Sequence, residues 1–410
     1  MSFPDREARA AMARAIFDAG VAAADPGRGV TDELTARPAP DGQPLICVGK
    51  AATRMAKAAL ATGLKPSQTI IVTNPENAQE VEGAQVFAAA HPVPDAVGED
   101  AGRAVIAAVE AATDGVLCLI SGGGSALLPA PVEGVTLDDK AQVNAMLLAS
   151  GAEITEMNCV RQALSRLKGG GLVRLAAPAK VRALILSDVV GDDLRAIASG
   201  PTVAPLGPRS QAREIVRERG LWDALPASVQ TALSRPDDAP PPEADNTLIG
   251  SNTQSVMAMM TKVREVADGL PVFLHSPALE GDVADAATRV AGCTDRGIHL
   301  FGGETTVTLV GSGRGGRNQD LALRVALMLS DKRGDYTYLQ GGTDGRDGPT
   351  DAAGGVVDEA TLATLADRGV DAAARLLDND AYPALKAADA LLMTGGTGTN
   401  VADLGVFIRA

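Results

Sequence analysis

The sequence predicts an α/β protein of two domains, and three observations carry that expectation: the length, a core of small aliphatic residues, and short apolar runs alternating with helical patterns. At 410 residues the chain is about two to three times the usual domain length, so it is expected to divide. Apolar residues make up 46%, yet there are only six Phe, three Tyr and one Trp. Ala, Val, Leu and Ile must therefore fill the interior, which suits helices packed on parallel strands. Several apolar runs end in Gly-rich or Asp-containing loops, as a parallel sheet with crossover helices requires.

In chain order, MSFPDREARAAMARAIFDAG carries acidic residues and lacks a long apolar stretch, so it reads as an opening amphipathic helix and not as a signal peptide. Strands are expected near 44–48, 68–73, 84–89, 115–120 and 181–187. Each leaves room for a helix before the next except the pair 68–73 and 84–89, whose PENAQEVEG link is too short for a full crossover. The sequence loosens from 202 to 245, and SRPDDAPPPEAD at 234–245 is a Pro and acid cluster that reads as a linker. The domains are accordingly expected at 1–240 and 241–410. Beyond the linker, apolar runs at 246–250, 271–275, 297–301, 305–310, 335–340 and 405–409 alternate with helices near 252–267, 318–330 and 359–368. GGET, between 297–301 and 305–310, predicts an antiparallel hairpin.

A formal charge of −14 excludes a nucleic-acid or anionic-membrane partner, either of which needs a basic face. The absence of an apolar run of 18 or more residues excludes a membrane-spanning helix, and a cytoplasmic protein is expected. Cys47, Cys118, Cys159 and Cys293 are scattered, with no C-x-x-C and no His at zinc-ligand spacing, so buried reduced thiols are expected. The three His have no G-x-S-x-G nucleophile elbow to pair with, so Ser-His-Asp hydrolysis is unsupported.

Two triple-glycine segments come first among the loops. In LISGGGSALL an apolar strand runs into Ser121, Gly122, Gly123 and Gly124, and Ser125 begins a helical pattern; such a turn brings backbone N–H groups up to an anion. LKGGGLV places Lys168, Gly169 and Gly170 at the end of a helix, where the glycines are either a second cradle or a C-cap. No Walker G-x-x-x-x-G-K-[ST] loop exists. Lys50 follows the strand QPLICVG, at the carboxyl end where open α/β sheets bind ligands, and fits the task of balancing phosphoryl charge. Asp188 follows an apolar strand, with Asp192 and Asp193 a turn later, as in sites that hold Mg²⁺ beside a nucleotide; the alternative is a helix-capping Asp. In the C-terminal half, Glu304 lies in a tight turn, and Arg314 and Arg317 lie in a glycine-rich loop suited to gripping a carboxylate or phosphate, with Asn318 beginning the helix after it. Asp344, Asp347 and Asp351 share one loop, and GGTGTN follows another apolar run.

Gly311, Gly313 and Gly316 also spell the dinucleotide fingerprint G-x-G-x-x-G, with Asp331 about twenty residues on. The context is wrong: two arginines interrupt the glycines, and Asp331 precedes the next strand instead of ending it.

Taken together, ICVGKAA, HPVPD, LISGGGSALL, NCVRQALSRLKGGGL, LSDVVGDDLRAIASGPT, GGETTV, GRGGRNQ, GGTDGRDGPTDAAGG and TGGTGTN resemble the class II glycerate 2-kinases over nearly the whole chain. The resemblance implies an N-terminal Rossmann-like domain, a smaller C-terminal mixed α/β domain of the MOFRL type, and an active site in the cleft between them. It implies ATP-dependent phosphorylation of D-glycerate at the 2-hydroxyl with Mg²⁺, by a monomer or homodimer. Lys50 and Arg317 match the family's catalytic positions, with Asp188 beside them. Nucleotide is then expected on Ser121 to Ser125 and Lys168 to Gly170, glycerate on Lys50, Arg317, Asn318 and Asp344, and the metal on Asp188 and Asp192. The rival reading, an NAD(P)H-dependent hydroxypyruvate reductase, comes from the label such relatives often carry, and the wrong context of the dinucleotide spelling speaks against it.

Overall fold

Residues 3–267, 269–330 and 334–410 are described by a computed structural model; Asp331 lies outside them. They form two compact units. Among them, one contains Pro26–Ser187 and Asp192–Ile249, and the other residues 3–25, Asp188–Gly191 and those described within Gly250–Ala410.

The first unit is built on a six-stranded sheet of β1 (Leu45–Val48), β2 (Thr69–Thr73), β3 (Ala84–Ala88), β4 (Val116–Ile120), β5 (Val181–Leu186) and β6 (Asp245–Gly250), in the order β3-β2-β1-β4-β5-β6. The pairs β1–β2, β1–β4, β2–β3 and β4–β5 all run parallel. Strands β1, β2 and β4 are buried at every position, which is why they read as continuous apolar runs without alternation. The short link after β2 holds a 3-10 turn, Pro75–Asn77, and delivers β3 to the sheet edge in parallel register.

The second unit carries a mixed sheet of β7 (Val272–Leu274), β8 (Leu279–Asp282), β9 (Gly297–Thr306), β10 (Tyr336–Gly342), β11 (Gly354–Asp358), β12 (Leu391–Leu392) and β13 (Asp403–Arg409). Its order is β12-β11-β10-β13-β9-β7, with β8 paired to β9. Helix Arg317–Leu329 packs on one side with helix Val283–Ala291, burying Leu321, Val325, Val290 and Phe407 together. Helices Arg6–Ala23 and Asn252–Val266 meet Leu339, Leu404 and Val406 through Ala13, Ile16, Phe17, Met259 and Val263. The spacing of 13, 16 and 17 is the apolar stripe of an amphipathic helix.

Three sequence expectations are corrected. The single boundary at 240/241 does not describe the division: the opening helix shares the core of the C-terminal half, and β6, beyond the proline-rich segment, completes the N-terminal sheet. The 297–310 hairpin is absent, because β9 runs unbroken through Gly302 and Gly303 to Thr306. Those glycines serve close approach and not a turn: a Cβ on Gly303 would lie 2.1 Å from Leu279 O of the neighbouring β8. Finally, the helix after Ser121 is only Gly124–Leu127, too short to contribute a substantial dipole. No helix among the described residues is long and apolar enough to cross a membrane.

Candidate active site

In the parallel-sheet unit, β1 and β4 are neighbours, and the loops at their carboxyl ends interlock. Gly49 has φ 122°, and a Cβ there would lie 2.2 Å from Ser121 Oγ, so only glycine lets the two loops approach. Lys50 N donates to Gly122 O at 2.9 Å, and Ala51 N to the buried Ser121 hydroxyl at 3.1 Å. Lys50 is exposed, its stem lies over Gly123, and its ammonium makes no hydrogen bond or ion pair among the described residues. The His91 ring flanks the same glycine, and burial together with the Lys50 charge lowers its pKa. The N–H groups of Gly122, Gly123, Gly124 and Ser125 have no partner among the described residues. An exposed lysine whose stem lies over such a loop, beside N–H groups without partners among the described residues, supplies the kind of donors an anion takes.

The second triple glycine has a different role. Gly169 N donates to Ser199 O at 3.1 Å and Gly170 N to Gly200 O at 2.8 Å, so these donors are occupied within the fold. Lys168 is buried, and its ammonium donates to Ser125 O at 2.7 Å and Ser125 Oγ at 2.9 Å, while the Ser125 and Ser199 hydroxyls lie 2.8 Å apart. Burial, with Lys140 and Arg161 near, pushes the Lys168 pKa well below the ordinary lysine value. Lys168 thus anchors the 121–125 loop from beneath.

In the mixed-sheet unit, Arg317 opens its helix between two carboxylates. Its Nε donates to Asp403 Oδ2 at 2.6 Å, its Nη2 to Asp403 Oδ1 at 3.0 Å, and its Nη1 lies 2.9 Å from Glu304 Oε1. Three of the five N–H donors of a guanidinium are thereby used, leaving two. Asn318 is buried and fully engaged, donating to Asp403 Oδ1 at 3.0 Å while accepting from Gln340 Nε2 at 2.9 Å. Its side chain is thereby committed to Asp403, Asp347 and Gln340. Burial raises the Glu304 carboxyl, Arg317 opposes that shift, and Asp403 and Asp188 add to it.

The three loop aspartates separate by role. Asp344 is exposed, and its Oδ1 and that of Asp403 lie on the same side of Gly342. Asp347 caps the Arg317 helix, accepting from Asn318 N at 3.1 Å and Gln319 N at 2.8 Å, and burial pushes its carboxyl up to about 7. Asp351 accepts from Tyr382 Oη at 2.7 Å. Arg314 stacks on the Tyr382 ring, 4.6 Å from its centroid, and is not part of the Arg317 cluster.

Oxygen donors suited to a hard cation are present in both units. Asp188 is close enough to Glu304 to raise its pKa. Asp192 belongs to the other unit, and its buried Oδ1 has no hydrogen-bond partner among the described residues. Asp193 is paired with Arg195 at 2.8 Å.

The dinucleotide spelling is filled from within the fold. Gly311 N and Ser312 N donate to Asn379 Oδ1 and Asp378 Oδ1 at 2.9 Å each, and Gly313 N and Arg314 N donate to Asp378 O and Asp380 Oδ1 at 2.8 Å each. The N–H groups from Gly311 to Arg314 are thus taken within the fold, and Asp347 occupies those of Asn318 and Gln319 at the helix terminus.

Sequence reasoning missed Asp403. Its only signal was one acid opening an apolar run, and its pairing with Arg317 spans 86 residues.

Two family models match: "Domain of unknown function (DUF4147)" over residues 12–234 and "MOFRL family" over residues 297–403. A D-glycerate 2-kinase of Thermotoga maritima is 40% identical over 375 residues, spanning 88% of this chain and 89% of that protein. A protein of Agrobacterium vitis with a provisional hydroxypyruvate reductase name is 39% identical over 422 residues, spanning 98% and 95%. A crystal structure of glycerate kinase from Thermotoga maritima superposes with a TM-score of 0.92 at 36% identity, covering 99% of this chain and all of that one. The chain belongs to the DUF4147 and MOFRL family of glycerate 2-kinases.

Proposed function

We propose that the protein transfers the γ-phosphoryl group of ATP to the 2-hydroxyl of D-glycerate, giving 2-phosphoglycerate and ADP. The observation that carries this reading is the exposed Lys50 side chain, its stem over Gly123, beside the N–H groups of Gly122 to Ser125, neither with a partner among the described residues. The 2-hydroxyl oxygen bonds to the γ-phosphorus as the bond to the β–γ bridging oxygen breaks, and the hydroxyl proton passes to a base. In a loose transition state the protein's work is positioning and charge neutralisation. The 121–125 loop holds the phosphates and Lys50 meets the charge on the transferring group, while Arg317 offers its two remaining donors to a carboxylate such as that of glycerate. Asp403, Glu304 and Asn318 hold the guanidinium in place.

Asp188 with Glu304 in one unit, and Asp192, whose buried Oδ1 has no partner among the described residues, in the other, are the oxygen donors that would suit Mg²⁺. Bound there, the ion neutralises phosphate charge.

The reductase reading loses its support where the 311–316 loop is filled by Asp378, Asn379 and Asp380. The test is ADP release from ATP and Mg²⁺ with D-glycerate, beside NADH oxidation with hydroxypyruvate. ADP release that depends on glycerate, with no NADH oxidation, is expected; the reverse pattern overturns the proposal.

A further inference from the structure

The sequence gives His275, Cys293 and His299 no recognisable ligand spacing, yet the mixed sheet brings all three together. His275 follows the edge strand β7, Cys293 follows helix Val283–Ala291, and His299 lies on β9. His275 Nε2 is 2.9 Å from His299 Nδ1 and 3.7 Å from Cys293 Sγ, and the three ligand atoms lie within 4.8 Å of one another.

The Asp295 carbonyl fixes how His299 is protonated. Its Nε2 lies 2.9 Å from Asp295 O, and a carbonyl only accepts, so Nε2 carries the proton and Nδ1 turns a lone pair toward the other two groups. A backbone carbonyl on the far nitrogen is the usual support of a metal-binding imidazole. The rings are also held by stacking, His299 on Phe273 with centroids 4.6 Å apart and His275 on Phe301 at 4.4 Å. For tetrahedral zinc, bond lengths of about 2.05 and 2.3 Å put N···N near ~3.4 Å and N···S near ~3.6 Å. The nitrogens would part by about half an ångström, the His275 Nε2 to Cys293 Sγ distance already fits, and His299 Nδ1 lies within 4.8 Å of the sulfur.

We propose that His275, Cys293 and His299 form a binding site for one borderline-soft divalent ion of the Zn²⁺ class, with a fourth position open to water. His275 and Cys293 are half-buried and His299 is buried, so the site has an outer face. Binding displaces the Cys293 thiol proton to solvent and leaves His275 protonated at Nδ1. The Arg289 guanidinium, held by Pro277 O and Ala278 O, lines the same pocket, and its charge opposes a cation. That favours ions that bond thiolate strongly over Mg²⁺, which prefers oxygen. The ion would tie β7, registered to β9 over only three residues, to the end of the neighbouring helix. Glu304 lies five residues along β9 from His299, about 17 Å of strand, so the site does not share the Arg317 cluster.

The test uses the full chain, free of affinity tag and stripped by chelator, titrated with Co²⁺. A near-ultraviolet thiolate-to-cobalt charge-transfer band with intense visible ligand-field bands is expected, saturating at a single equivalent and erased by Zn²⁺. Cys293→Ser should abolish the charge-transfer band, and His275→Gln should weaken binding by at least about tenfold. Zn²⁺ should raise the melting temperature of the wild type and not of His275→Gln, which decides the matter if Cys293→Ser does not fold. Absence of the band in the wild type, its persistence in Cys293→Ser, or an equal Zn²⁺ stabilisation of His275→Gln overturns the proposal. In any of those outcomes the trio is a packed, hydrogen-bonded wall.

Discussion

Asp403→Asn isolates the part of the site that the sequence concealed. The carboxylate is 2% exposed and accepts Arg317 Nε at 2.6 Å, Arg317 Nη2 at 3.0 Å and Asn318 Nδ2 at 3.0 Å. A carboxamide of the same shape keeps one oxygen, so one arginine bond is lost and the other loses its charge assistance. Hydrogen bonds to charged groups contribute about 1.5–3 kcal/mol each. With Arg317 about a third exposed, solvent screens part of that, and a net loss near ~2 kcal/mol follows. Glu304, still paired with Arg317, would draw the guanidinium out of place. At ~1.4 kcal/mol per tenfold, kcat/KM for glycerate should fall about 30-fold, with the rise in KM confined to glycerate and the KM for ATP within about twofold of wild type. The assay is ADP release across a glycerate series, with circular dichroism to confirm the fold. Glycerate kinetics within about twofold of wild type would refute the positioning role.

Lys50→Ala should lower kcat by about two to four powers of ten with the melting temperature unchanged, because the side chain is exposed and unpaired; full turnover in the purified variant would sink the role. Asp347 is held up to about 7, above its unfolded value near ~3.9, so the folded state binds the extra proton between those limits. That stability, at most about 4 kcal/mol, is complete below pH ~4 and is lost as pH rises through about 7. Asp347→Asn should therefore flatten the fall in melting temperature from pH 5 to 8, and an unchanged slope would contradict the burial argument. Chelating Mg²⁺ should stop turnover, and Asp188→Asn or Asp192→Asn should raise the Mg²⁺ needed for half activity by about tenfold or more; unchanged Mg²⁺ dependence in both removes the metal assignment.

The sequence made the strand-end chemistry legible because parallel strands place their loops in predictable positions. Lys50 and Ser121 to Ser125 meet because β1 and β4 are sheet neighbours, and both motifs sit where an apolar run stops. Whether a glycine loop offers free N–H groups is a tertiary fact: Gly122 to Gly124 do, while Gly169, Gly170 and Gly311 to Gly313 do not. GGET read as a turn because Gly-Gly is ordinarily punctuation, and here it marks the close passage of β8. Asp403 and the His275, Cys293 and His299 trio were silent because their partners come from other strands and helices, beyond any local spacing. The proline-rich segment read as a boundary because composition reports local flexibility, and β6 lies on its far side.

The central claim is tested most directly by phosphorus NMR of purified protein with ATP, Mg²⁺ and D-glycerate, which reports turnover and the modified hydroxyl together. The account predicts a 2-phosphoglycerate resonance growing as ADP appears. Formation of 3-phosphoglycerate, or no phosphoryl transfer to glycerate, would contradict it.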